Sequence, residues 1–223
     1  MNNPINSASA EAIQPKKKNT YYHLVLDRSG SMASCWQEVR QVIDKQLLDL
    51  KRAQEENASS ELIFSFCAFN NELRFAQDLM PVAQARMDWE LIFPNGSTSL
   101  NDAIGESIAY VKNKAGAALS DADADVIVLI MTDGYENSSQ VYSAKAAKEL
   151  MEACEETGKW NFLFLGAGLN VTEVTETYAR GDKNTMSFEK DNFAASFKKV
   201  NNELEDFVKQ KEQAMKKTQF FKK

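Results

Sequence analysis

Apolar residues along this chain come in two rhythms. Residues 21–27 (YYHLVLD) form a nearly unbroken aromatic and branched run, the pattern of a strand buried on both faces. Over 33–55 the rhythm changes. Trp36, Val39, Ile43, Leu47 and Leu50 recur every three or four positions, which draws one face of a helix. A second strand follows at 61–69 (ELIFSFCAF), then an Asn-Asn turn at 70–71 and an antiparallel partner at 72–77 (ELRFAQ). Beyond a looser stretch holding Pro81 and Pro94, residues 100–115 place Leu100, Ile104, Ile108, Val111 and Ala115 on one side of a helix. Residues 125–132 (DVIVLIMT) are the most apolar run, as a central parallel strand requires. The pattern then predicts a helix over 143–157, a strand over 160–166 (WNFLFLG), a short helix near 170–179 and a brief strand near 184–188. A long helix over roughly 190–215 closes the series, with Phe193, Phe197, Val200, Leu204, Phe207 and Val208 along its seam.

Strands alternating with helices predict an α/β domain. The expected architecture is a doubly wound, mostly parallel sheet with one antiparallel edge strand and helices on both faces. Residues 1–19 read as a flexible leader, 20–215 as the domain and 216–223 as a basic tail. The tail carries Phe220 and Phe221, and two readings stay open for it: a frayed end, or a docking peptide for another protein.

Composition narrows the function classes. The formal net charge of −6 argues against broad capture of nucleic acid, which needs a basic face. No apolar run approaches the length of a membrane span, and the leader has no continuous apolar segment of the secretory kind. The expectation is therefore a cytoplasmic protein with neither a membrane nor a nucleic acid as partner. Cys35, Cys67 and Cys154 are odd in number and widely spaced, which suits free thiols in a reducing compartment better than a zinc site. The single histidine, His23, lies inside the first strand and leaves histidine-assisted nucleophilic catalysis little to work with.

The candidate chemistry lies where strands end. In doubly wound sheets, sites form beyond the carboxyl ends of the strands, at the crevice where strand order reverses. Three segments place polar groups there: Asp27, Ser29 and Ser31 in DRSGS, Thr98 in NGSTS, and Asp133 in MTDGYENSS. If strands 21–27 and 125–132 are neighbours, two carboxylates and several hydroxyls meet at one rim. Two carboxylates brought that close repel unless a cation or a proton lies between them. Hard oxygens suit a divalent ion, magnesium best, with manganese or calcium as alternatives. Taken singly, each group has a plainer reading: Ser31 as a helix cap, Ser29 in a turn, Asp133-Gly134 as a turn after a strand. DADAD at 121–125 lacks the glycine and glutamate of a calcium loop and reads as a solvated loop; GAG at 166–168 lacks a third glycine and reads as a tight turn.

DRSGS at 27–31 resembles the DxSxS pattern of the von Willebrand factor type A domain, and Thr98 and Asp133 match the other two parts of that family's metal-ion-dependent adhesion site. The three parts occur in the family's order, and the resemblance covers about residues 20–210. The stretches YYHLVLDRSGSM and LIMTDGYENSS also resemble stand-alone domains of bacteria and their phages. The resemblance implies that Ser29, Ser31 and Thr98 are neutral ligands and that Asp27 and Asp133 act directly or through water. The ion would then complete its shell with an Asp or Glu of a partner protein. The implied function is a divalent-metal-dependent protein-binding module rather than an enzyme. Two rivals stay open: a metal-assisted hydrolase or phosphoryl-transfer enzyme with Glu136 as its acid or base, and a scaffold with a structural metal. Arg28, Tyr135, Glu136 and Asn137 surround the expected rim. Arg28 should point away from the ion, either to pair with a partner carboxylate or to sit in solvent.

Overall fold

Strand β1 (Lys18–Asp27) runs through the middle of a six-stranded sheet, parallel to β2 (Ser60–Phe69) on one side and to β4 (Ala124–Thr132) on the other. In this computed structural model the described residues are 18–56, 60–120, 124–167, 177–178, 185–188 and 202. The sheet order is β3-β2-β1-β4-β5-β6, with β3 spanning Leu73–Pro81, β5 Trp160–Ala167 and β6 Thr185–Phe188. Every neighbouring pair is parallel except β2–β3, so the hairpin supplies the antiparallel edge that the Asn-Asn turn predicts.

The unbroken apolar runs are explained by a core on each face. Successive strand residues point to opposite sides. Tyr22, Leu24 and Leu26 of β1, Ile127, Leu129 and Met131 of β4, and Leu163 and Leu165 of β5 pack with helix α1 (Trp36–Glu56). Tyr21, Val25, Val126, Val128, Ile130, Phe162 and Phe164 pack with helices α2 (Leu100–Ser120) and α3 (Ala144–Glu155). The helical stripes expected over 33–55 and 100–115 are the buried faces: Val39, Ile43, Leu47 and Leu50 in α1, and Leu100, Ile104, Ile108, Val111 and Ala115 in α2.

Some boundaries differ from the sequence reading for identifiable reasons. The first helix is preceded by a 3-10 turn over Gly30–Cys35. Three residues per turn put Met32 and Cys35 on the same side, and both are buried. Helix α2 runs on to Ser120, through an alanine-rich stretch of high helix propensity. Of GAG, Gly166 and Ala167 continue β5 and pair with Ser187 and Phe188, while Gly168 lies outside the described residues. Ala124 and Asp125, the end of DADAD, already belong to β4. The leader boundary moves: Lys18 and Asn19 already belong to β1 and pair with Ser60 and Glu61. Residues 1–17, the tail, the helix near 170–179 except helical Thr177 and Tyr178, and the helix over 190–215 except helical Asn202 lie outside the described residues. Among the described residues, no helix is long and apolar enough to cross a membrane.

The topology fixes where a site can form. From β1 the chain moves outward to β2 and β3, then returns across β1 to β4 and outward again to β5 and β6. Strand order therefore reverses between β1 and β4, and the loops leaving their carboxyl ends part to open a crevice.

Candidate metal centre

Asp27 is the last residue of β1 and is fully buried at the floor of that crevice. One carboxylate oxygen, Oδ1, accepts the Ser29 amide at 2.7 Å. The other, Oδ2, accepts the Thr132 hydroxyl at 2.6 Å, from the last residue of β4. Burial pushes the carboxyl up to about 6, against the pull of the Thr132 and Ser29 hydrogen bonds, and the charge of Asp133 adds to the rise. Among the described residues no Lys, Arg or His makes a salt bridge to Asp27. A buried carboxylate without a countercharge is costly.

The two serines follow on the 3-10 turn. Ser29 sits at its N-cap position, but its side chain makes no capping hydrogen bond. Instead its Oγ lies 3.1 Å from Ser31 Oγ, and Ser31 Oγ donates to Asp133 Oδ1 at 2.6 Å. The plain reading of Ser31 as a helix cap therefore fails, because its hydroxyl turns to Asp133 instead; Ser29 does begin a turn, and its hydroxyl lies beside that of Ser31.

Thr98 arrives from the loop before α2. Its amide donates to Asn137 Oδ1 at 2.9 Å and its carbonyl accepts the Asn137 amide at 3.0 Å, a reciprocal clasp with the loop after β4. Gly134 shows how closely the groups converge. A Cβ placed there would meet Thr98 Oγ1 at 3.0 Å, Ser31 Oγ at 3.6 Å and Asp27 Oδ2 at 3.9 Å. Oxygens from two distant segments, 27–31 and the loop before α2, thus converge on a point of the loop after β4, and the glycine leaves that point clear.

Backbone bonds hold the surrounding loops in place. Arg28 donates its amide to Phe69 O at 2.7 Å, and its carbonyl accepts the Asn95 amide at 2.8 Å. The Gly30 amide donates to Gly96 O at 3.0 Å, and Ser99 donates to Asn70 O at 3.0 Å. Gly96 is at φ +73°, in the left-handed region that favours glycine, and its Cβ position faces the Asn71 side-chain amide.

The rim residues divide. Tyr135 is half-exposed. Arg28 is neither solvated nor free to reach a partner: it is 8% exposed, and among the described residues its Nε has no hydrogen-bond partner. Burial lowers its pKa, opposed by the nearby charge of Glu72 and assisted by that of Arg74, both on the β2–β3 hairpin. Glu136 is not free either. Its Oε1 accepts the amides of Ser138 at 2.9 Å and Ser139 at 2.7 Å, and its Oε2 accepts the Asn101 amide at 2.9 Å. The sequence reading passed over Thr132, whose hydroxyl is the partner of Asp27. Its signal was a threonine closing the apolar run 126–131 directly before an aspartate. Asn137, one of the residues expected around the rim, grips Thr98.

Among the described residues there is no group of three or more His, Cys, Asp or Glu with metal-binding geometry. The oxygens gathered here are two carboxylates and three hydroxyls, a hard donor set of the kind magnesium or manganese takes with water completing the shell. The residues present therefore fit such an ion.

No family model matches the chain. Among curated proteins it is similar to the inter-alpha-trypsin inhibitor heavy chain H2 of Sus scrofa, 26% identical over 169 residues. That match takes in 72% of this chain but only 17% of the relative. Among solved structures it is similar to the vWF domain of the type V pili tip protein Mfa5 from Porphyromonas gingivalis, with a TM-score of 0.63 at 10% identity, covering 87% of this chain and 97% of that one. It is also similar to the pilus adhesin SpaC from Lactobacillus rhamnosus GG, with a TM-score of 0.66 at 12% identity, covering 87% of this chain and 31% of that one. Sheet order, crevice and these likenesses agree: the chain has the fold of a von Willebrand factor type A domain.

Proposed function

We propose that this chain is a divalent-ion-dependent protein-binding module. Asp27, Ser29, Ser31, Thr98 and Asp133 would hold the ion, magnesium by preference and manganese or calcium as alternatives. The observation that carries the reading is the convergence of Thr98 Oγ1, Ser31 Oγ and Asp27 Oδ2 around Gly134, with Asp133 hydrogen-bonded to Ser31. When bound, the ion would supply an electrophilic seat for an Asp or Glu side chain of a partner protein. Three of the five protein ligands are neutral, so the ion keeps much of its charge for that carboxylate.

The chain's own residues favour binding over catalysis. A hydrolase or phosphoryl-transfer enzyme would need a general base within hydrogen-bond reach of the reacting group. Glu136 is occupied by backbone amides, and His23 is fully buried in the core with burial pushing its pKa down to about 3. We place the module in the cytoplasm on its three widely spaced cysteines, an odd number that suits a reducing compartment better than a disulfide framework. Neither a nucleic acid nor a membrane is part of the reading.

The test is calorimetric titration of the chain with Mg2+ and Mn2+, beside Asp27→Ala, followed by partner capture in Mg2+ and in chelator. Uptake by the wild type alone, with capture lost in chelator, supports the reading. No uptake by the folded wild type rejects it.

A further inference from the structure

The loop after β4 is fastened to the first turn of α2 far more heavily than a surface loop needs. Glu136 lies at the centre of this fastening. Besides the Ser138 and Ser139 amides and the Asn101 amide, its Oε2 accepts the Ser139 hydroxyl at 2.7 Å. Asp102 continues the seam, accepting the amides of Gln140 at 2.8 Å, Val141 at 3.0 Å and Tyr142 at 2.8 Å. Ser99 and Ser138 meet through their hydroxyls at 2.8 Å. The first amides of a helix have no intrahelical partners, and their end of the helix dipole favours anions, so two carboxylates here are well placed.

We propose that Glu136 is a positioning residue for the ion site: it binds the Asp133 loop to the start of α2 and so fixes Asp133 against Thr98. The proposal rests on the ion-binding reading given above. Its physical basis is chain connectivity. Glu136 stands three residues after Asp133, and Asn101 stands three residues after Thr98. The bond between Glu136 and Asn101 therefore ties together the two segments that bring those ligands, with the Asn137–Thr98 clasp as the second fastening between them. Tyr178 extends the tie outward: its buried hydroxyl donates to Asn101 Oδ1 at 2.8 Å, and its ring stacks on Phe164 of β5. A small hard ion tolerates little error in ligand spacing, so a loosened Asp133 loop lowers affinity even with every ligand present.

The experiment is a calorimetric titration with Mn2+, well below the unfolding temperature, on the full chain and its variants. Glu136→Ala is expected to weaken Mn2+ binding by about tenfold or more, in the range seen when the outer partners of metal ligands are removed. Glu136→Gln, which keeps one oxygen for the serine amides, should fall between Glu136→Ala and wild type, and Ser139→Ala should weaken binding less than Glu136→Ala. Tyr110→Phe, further along α2, loses the bonds of its hydroxyl to Asp78 and from the Leu79 amide, and serves as the control: it should lower Tm and leave Mn2+ affinity unchanged. If wild type takes up Mn2+ and both Glu136 variants bind within about twofold of it, Glu136 does not position the site and the proposal is overturned. Absence of uptake by wild type removes the ion-binding reading itself, and this proposal with it. Should Glu136→Ala fail to fold, Glu136→Gln and Ser139→Ala decide the matter by the same criterion.

Discussion

Ser31 Oγ donates a 2.6 Å hydrogen bond to Asp133 Oδ1, joining the loop after β1 to the loop after β4 across 102 residues of sequence. The bond spans the crevice at the point where strand order reverses. It also brings Asp133 close enough for its charge to raise the carboxyl of Asp27.

Two negative groups held together should make ion uptake strongly stabilising. An ion that binds only the folded state, at a hundred times its Kd, adds about 2.7 kcal/mol. Thermal melts should therefore shift upward with Mg2+ or Mn2+ in wild type. Asp133→Asn keeps an oxygen for Ser31 but removes the charge; its ion-free melt should stay near wild type while the ion-dependent shift disappears. Equal shifts in both proteins would show that Asp133 takes no part in holding the ion.

Gly105 and Tyr142 offer a test of the α2 seam that needs no ion. A Cβ on Gly105 would lie 2.5 Å from the Tyr142 ring. Alanine normally gains up to about 1 kcal/mol over glycine in a helix. Overpacking at this site should cost about 1–3 kcal/mol and outweigh that gain. Gly105→Ala is thus expected to destabilise the wild type and to stabilise a Tyr142→Ala background. Chemical denaturation of the four proteins of the cycle measures the difference. Equal effects in both backgrounds would mean that the ring does not press on the helix.

The five candidate groups stand out in the sequence because each lies at a boundary the hydrophobic pattern already marks: Asp27 and Asp133 at the ends of apolar runs, Ser29, Ser31 and Thr98 before helical stripes. The fold was legible for the same reason, since a parallel strand covered on both faces has no polar phase to confuse its reading. Arg28 misled because a lone arginine between two polar residues carries no sign of the hairpin that buries it. The roles of Glu136 and Asp102 were hidden because their partners are mostly backbone amides, and amides leave no mark in a sequence. The 3-10 turn was hidden as well, because Met32, Cys35, Trp36 and Val39 fit helical spacing as well as the tighter turn.

Trp89 should anchor the long segment between β3 and α2. Its ring meets Trp36 and Phe66 edge-on, with centroids 6.0 and 5.7 Å away; its Nε1 donates to Asp44 Oδ1 at 2.9 Å, and Arg40 lies over its face. This segment continues to Asn95 and Gly96, which bond to Arg28 and Gly30 beside the site. Trp89→Ala should cost about 3 kcal/mol, the low end for loss of a large aromatic since this ring is only partly buried. It should also speed proteolytic cleavage within residues 85–97. Cleavage unchanged at a matched fraction folded would show that other contacts hold the segment.

His23 should give the protein a specific acid lability. It is fully buried, with Nδ1 2.7 Å from Ser65 Oγ and Nε2 3.5 Å from Cys67 Sγ, and the rings of Phe75 and Tyr110 pack against it. Burial lowers its pKa to about 3, below the usual 6.5. The unfolded chain therefore binds this proton more readily than the folded one between those values. The neutral histidine's contribution is fully present above about pH 6.5 and is lost progressively as pH falls toward 3, by up to about 1.4 kcal/mol per pH unit. His23→Gln removes the titration and retains a polar partner for Ser65. It should be less stable than wild type at neutral pH, and the deficit should narrow steadily on acidification, since the carboxylates common to both proteins cancel in the comparison. Denaturation curves of the two proteins from pH 7 to pH 4 measure this, and a constant difference across the range would show that His23 is not the group that titrates.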